Sequence, residues 1–185
     1  KAAFMFDSEL KADIENSIYT FKENTLHLNE IKLGFDGSVE MPDEDIIMDV
    51  TFKTKETAFK DALSMVPAVY LTDFEGVETS GEFKLDGWVK GTYNDSIMPG
   101  YGVNLWIKNG YFKYPDLPES VKNIFVDLKV DAEAGSGDNM TIDLKKATLN
   151  MAGNPFSIIA FVTMTALDVS MDGNVKGKID LNKMK

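Results

Sequence analysis

Apolar and polar residues alternate along most of this chain with a period of two. Ile46, Met48, Val50 and Phe52 alternate with Ile47, Asp49, Thr51 and Lys53. Val77, Thr79, Gly81, Phe83, Leu85, Gly87 and Val89 alternate with Glu78, Ser80, Glu82, Lys84, Asp86, Trp88 and Lys90. The rhythm returns at Val103, Leu105 and Ile107, at Ile124, Val126, Leu128 and Val130, and from Leu167 through Val169, Met171, Gly173, Val175, Gly177 and Ile179 to Leu181. Successive side chains of a strand point to opposite faces, so strict alternation makes one sheet face apolar and the other wet. Antiparallel sheets show that contrast, whereas parallel sheets are covered on both faces.

Turn-forming residues separate the runs at Pro42-Asp43, Asn94-Asp95, Asn109-Gly110, Gly135-Ser136-Gly137 and Asn154-Pro155. Residues 76–93 are long enough for one strand with a kink at Gly87, and thirteen or more such residues reach roughly 45 Å at about 3.3 Å each. Long strands with tight connections predict a meander. At 57–65, Ala58, Phe59, Ala62 and Leu63 fall at helical spacing, which predicts a short amphipathic helix ended by Pro67. Residues 68–74 are read as a further turn, and 8–15 as either helix or strand.

Two stretches match position by position. Thr25-Leu26-His27-Leu28 through Gly37 aligns with Thr141-Ile142-Asp143-Leu144 through Gly153, and in both the alternation slips after the second apolar position, as at a β-bulge. Asp86-Gly87-Trp88-Val89-Lys90-Gly91 is echoed by Asp172-Gly173-Asn174-Val175-Lys176-Gly177. Either these are similar strands of an ordinary β protein, or the sheet is repetitive and continues past both ends of this chain.

Composition narrows the chemistry. The 185 residues carry 19 Lys+Arg against 30 Asp+Glu, a net charge of −11, which repels phosphate backbones and argues against polybasic docking on a membrane surface. No cysteine is present, so disulfides, thiolate nucleophiles and Cys-ligated metals are excluded. The one histidine, His27, lies between Leu26 and Leu28 on the polar side of a strand, without a Ser-His-Asp or Cys-His pattern around it. Asp43-Glu44-Asp45 reads as a solvated turn. The stretch from Asp131 to Asn139 lacks the ligand spacing of a calcium loop and reads as a hairpin. No catalytic residue, metal or cofactor is expected. A hydrolase would need an acidic pair in a cleft with a raised carboxyl pKa, and nothing in the sequence selects one. The apolar run 155–167 is too short to span a bilayer and includes Ser157, Thr163 and Thr165, so no transmembrane segment is expected in this chain. The start, Lys1-Ala2-Ala3-Phe4, is read as the interior of a longer protein.

The segment Phe59-Lys60-Asp61-Ala62-Leu63-Ser64-Met65-Val66-Pro67 leads on to Thr79-Ser80-Gly81-Glu82-Phe83-Lys84-Leu85-Asp86-Gly87-Trp88, then to Met98-Pro99 and Asn109-Gly110-Tyr111-Phe112-Lys113-Tyr114-Pro115-Asp116-Leu117-Pro118. These residues, and the chain over about 26–181, resemble the AsmA family in the C-terminal half of its large envelope proteins; the Phe-x-Tyr-Pro-Asp-Leu-Pro element is the most specific part. The resemblance implies a periplasmic protein whose parent is anchored in the inner membrane. It also implies a place among bridge-like lipid-transfer proteins built from repeating β-groove units. Phospholipid acyl chains, and the remainder of the parent protein, would be its partners.

The expectation is therefore one mostly β domain over 1–185. Its long, twisted antiparallel meander curls into an apolar groove, a half-open barrel with one short helix around 57–65. The groove lining is assigned to Phe83, Leu85, Val89, Val103, Leu105, Ile107, Ile124, Val126, Leu128, Ile142, Leu144, Leu149 and Met151. Ten methionines suit a lining that adapts to flexible chains. The rival readings are a β-sandwich glycan-binding or adhesion module stacking sugars on Trp88, Trp106, Tyr101 and Tyr111, and an envelope scaffold without ligand. A sandwich would seal the apolar face; a groove would leave it open.

Overall fold

A computed structural model describes residues 4–28, 30–55, 58–62, 76–115, 119–135 and 137–178. The strands are β1 (Phe4–Asp7), β2 (Leu10–Asp13), β3 (Ile18–Leu28), β4 (Ile31–Glu40), β5 (Ile46–Thr54), β6 (Glu78–Tyr93), β7 (Gly100–Lys113), β8 (Val121–Ala132), β9 (Met140–Met151), β10 (Asn154–Met164) and β11 (Val169–Gly177). One helix, α1 (Phe59–Ala62), lies between β5 and β6 and packs against β6. All the strands join a single antiparallel sheet in chain order, with β1 and β2 sharing the outer side of β3. The sheet is a meander not closed into a barrel, as the alternation predicts.

The long strand expected over 76–93 is β6, of 16 residues. It has no kink at Gly87: its left-handed residues are Gly81 (φ 126°) and Gly91 (φ 123°). Gly87 is instead a flat spot. Its cross-strand partner is Phe52, whose ring lies where a Cβ would project, 2.5 Å from it. The same device recurs at Phe156 over Gly177, and Trp88 lies over Gly102 on the opposite face. A ring laid across a glycine shields the strand backbone that glycine leaves bare.

Three local predictions are corrected. Asn109-Gly110 is not a turn but a bulge inside β7, where Asn109 takes φ 52° and the pairing slips between Ile107 and Gly110. The turn expected at Asn154-Pro155 falls earlier, at Ala152-Gly153, where both residues have positive φ and Met151 pairs with Asn154. That is the geometry of a two-residue hairpin, and Pro155 then opens β10 before its pairing with β11 begins at Phe156. The aligned repeat also diverges. In 141–153 the slip is a bulge at Lys145, within the continuous strand β9. In 25–37 it is a chain reversal, with Leu28 pairing Ile31 and the segment split between β3 and β4. Residues 8–15 contain strand β2, and 57 and 63–74 lie outside the described residues.

Further bulges sit at Lys22-Glu23 of β3 and Asn123 of β8, each with a left-handed residue, Glu23 or Asn123. The Asp36 carboxylate accepts the Glu23 N–H at 2.6 Å. Bulges increase local twist and bend the strand, so their spread over β3, β7, β8 and β9 curls the sheet. The loops at one end are tied together. Met98 and Gly135 exchange backbone hydrogen bonds of 2.7 and 3.0 Å, and Asn94 Nδ2 donates to Asp45 Oδ1 at 2.8 Å.

Candidate functional site: the apolar face

In an antiparallel pair, residues directly opposite share a face, so the register carries each side chain's placement from strand to strand. Every residue assigned to the groove falls on one face. Leu85, Leu105, Leu128 and Leu144 are successive partners across β6–β9. Phe83, Ile107 and Val126 form the next row, which continues through Ala147 and Ile158 to Val175. Val103 and Ile142 are joined through Val130, and Val89 pairs with Val50 and Tyr101. Ile124 sits opposite Gly110, Leu149 opposite Phe156 and Met151 opposite Val121.

The face is wider than the sequence assignment. The row through Val103 reaches back through Gly87 and Phe52 to Phe35, and forward through Val162 to Met171. Parity along Ile46–Phe52 is a usable signal for β5. Along β10 it is not: Ile158, Ile159, Phe161 and Val162 read as a continuous apolar run, because Ile159 and Phe161 point to the other face, 48% and 46% exposed.

Among the described residues no second sheet and no helix besides α1 is present to cover this face. Its side chains shield one another instead. In β5 the apolar-face residues are half-buried and the intervening ones exposed, and β6 repeats the pattern. Among the described residues the buried hydrophobic side chains are Ile31, Phe83 and Ala132. A sandwich of this size would seal a full row of such residues between its sheets. Toward β11 the face opens further, with Val169, Met171 and Val175 exposed by 64–72%.

One polar side chain breaks into the apolar face at its other end. Asn24 lies opposite Phe35 and is 1% exposed. Its Oδ1 accepts the Glu9 N–H freed where β1 and β2 break, while its Nδ2 and Ser8 Oγ are buried without hydrogen-bond partners among the described residues. A buried asparagine in a strand of alternating pattern leaves no sequence signal, because position 24 follows the unforeseen bulge.

The opposite face is a lattice of charge. Cross-strand neighbours include Asp49 and Lys90, Lys53 and Asp86, Glu82 and Lys108, Asp127 and Lys146, and Lys129 and Asp143. Lys90 and Asp49 make a 2.6 Å ion pair. Opposite charges facing each other across strands stabilise register and keep this side wet. Trp106 belongs here: Lys84 and Lys108 ammonium groups lie 5.2 and 5.7 Å from its ring, and Phe125 meets it edge-on at 6.2 Å. Trp88 and Tyr111 share this polar face, but Tyr101 is on the apolar one, so the four aromatics proposed for sugar stacking do not form one platform. A cleft of about 860 Å³ between β5, β6 and Ala58 is lined by residues of both faces, Asp36, Thr51, Lys53, Lys84, Asp86 and Trp88 from the polar one and Phe52, Phe83 and Leu85 from the apolar one. His27 lies opposite Lys32 on the polar face. Asp43-Glu44-Asp45 occupies the β4–β5 turn, closed by the Asp45 N–H to Pro42 carbonyl bond of 3.0 Å.

Among the described residues no helix is long and apolar enough to cross a membrane, and no group of three or more acidic or histidine side chains is placed to hold a metal ion. Comparison with protein-family models, with curated proteins and with solved structures found no match.

Proposed function

We propose that this chain is a non-enzymatic lipid-handling module that holds phospholipid acyl chains against its apolar face, as the resemblance to the AsmA family implies. Its setting would be the periplasm, within a longer envelope protein anchored in the inner membrane. The observation that carries the reading is a single one. An apolar face runs unbroken across the sheet, from Phe35 to Met171 along one row, with no layer packed on it among the described residues. Exposed apolar surface of that extent marks an interaction site. Each methylene buried there contributes about 0.8 kcal/mol, so about ten fully buried methylenes match the roughly 8 kcal/mol of micromolar binding without any polar contact. Transfer along such a surface requires continuity and no bond chemistry.

The test is mass spectrometry of organic extracts of the purified chain, with native mass spectra before and after challenge with phospholipid. Retained or acquired phospholipid at a defined stoichiometry supports the reading. A clean extract with no uptake overturns it for this chain and favours a ligand-free scaffold.

A further inference from the structure

The two edges of the sheet are built differently. The first consists of β1 and β2, four residues each, interrupted at Ser8-Glu9, where the Asn24 side chain takes up a backbone N–H. The other is β11, nine residues paired with β10 without a register shift. It has no proline, no bulge and no left-handed residue, and every one of its residues is exposed. Natural sheets blunt a free edge by shortening, kinking or charging it, because unpaired N–H and C=O groups recruit another strand. Among the described residues none pairs with the outer side of β11, and this edge carries two charges, Asp172 and Lys176, but neither the shortening nor the break of the first edge.

We infer that β11 is a self-association surface, through which two copies of this chain pair antiparallel and merge their apolar faces into one. A register that keeps like faces together must oppose residues whose numbers sum to an even value, since a slip of one residue inverts the side chains. Centring on Asp172 sets that carboxylate against its own copy. Centring on Gly173 leaves Lys176 opposite Ser170, without a charge partner. Centring on Asn174 sets Asp172 opposite Lys176 twice, by symmetry, with Asn174 against Asn174 between them on the polar face. On the apolar face the same register sets Val175 opposite Gly173, the large-against-glycine pairing that the sheet already uses at Phe52 and Gly87, and Met171 opposite Gly177, which Phe156 of the same chain covers. The contact also covers Met171 and Val175, exposed by 72% and 70%. Because the other edge is broken, pairing of identical edges about a two-fold axis closes at a dimer and does not propagate.

The chain lacks cysteine, so single-cysteine variants report the register directly. Facing Cα atoms of an antiparallel pair lie about 4.5–5.5 Å apart, within the reach of a disulfide. Asn174→Cys is expected to oxidise to a covalent dimer. Asp172→Cys alone is expected to stay monomeric under the same conditions, since its copies would lie four residues, roughly 13 Å, out of step. An equimolar mixture of Asp172→Cys and Lys176→Cys is expected to yield the mixed disulfide. Sedimentation equilibrium of the full 185-residue chain should show a monomer–dimer equilibrium that Lys176→Glu weakens about tenfold, and the exchange Asp172→Lys with Lys176→Asp restores. A chain that stays monomeric at every concentration overturns the inference and leaves the edge to a strand of a different protein. Equal cross-linking by Asp172→Cys and Asn174→Cys overturns the register.

Discussion

Leu105→Glu separates the two faces of the sheet in one substitution. Leu105 stands between Leu85 and Leu128 as their cross-strand partner, with Val103 and Ile107 two residues to either side on the same face. None of these neighbours can pair with a carboxylate, so the introduced side chain would keep its charge hydrated and hold any acyl chain away from its surroundings. Displacing three or four methylenes at about 0.8 kcal/mol each removes about 3 kcal/mol, or roughly a 100-fold loss of affinity. Folding suffers less, because Leu105 is only half-buried; a cost of about 1–2 kcal/mol is expected. The control is Ser157→Glu on the polar face, where the new carboxylate meets Lys176 across the β10–β11 pair. Equilibrium uptake of a fluorescent phospholipid, measured beside a thermal melt of each variant, distinguishes the effects. Equal binding by both folded variants, or loss in Ser157→Glu alone, refutes the assignment of the lipid to the apolar face.

Other consequences follow from local geometry. A Cβ at Gly87 would overlap the Gly102 carbonyl oxygen and lie 2.5 Å from Phe52 Cζ; Gly87→Ala should destabilise by about 1–3 kcal/mol, read as a lowered denaturant midpoint at unchanged m-value. Ala152 is held at φ 52° in the β9–β10 turn. Ala152→Asn should therefore stabilise by up to about 1 kcal/mol, raising the melting temperature by about 2–4 °C. The Asp13 carboxylate accepts from Asn16 Nδ2 at 2.9 Å and from the Asn16 N–H at 3.2 Å, and these bonds hold its pKa below the usual carboxylate range. Its contribution to the β2–β3 turn is present above the ordinary carboxylate pKa and is lost as pH falls through the lowered value. In Asp13→Asn the acid-side change in turn order, followed by the amide shifts of residues 14–17, should disappear.

Much of this fold was legible because period-two alternation survives wherever a strand runs without interruption. β5, β6 and the first half of β7 have their faces assigned correctly from parity alone, and the groove assignments built on them share one face. Parity fails across a bulge, and bulges leave little trace in sequence. Asn109-Gly110 has the composition of a hairpin turn, yet it lies inside β7 because Ile107 and Gly110 both keep partners on β8. The matched segments 25–37 and 141–153 show the same limit from the other side. One slip in pattern is a reversal and the other a bulge, and the difference lies in where the next strand pairs. The exposed edge of β11 was likewise invisible, since an edge strand and an interior strand carry the same alternation. What distinguishes them is the neighbour, which the chain's own pattern does not encode.

Whether acyl chains rest on the apolar face is read out by photolabelling the chain with a phospholipid carrying a diazirine in its tail and mapping the modified residues. Labels are expected on alternate residues, at Leu85, Leu105, Leu128 and their row neighbours, and none at Asp86, Asn104 or Lys129. Labels confined to the charged face, or spread without alternation along β6, β7 and β8, would contradict that placement.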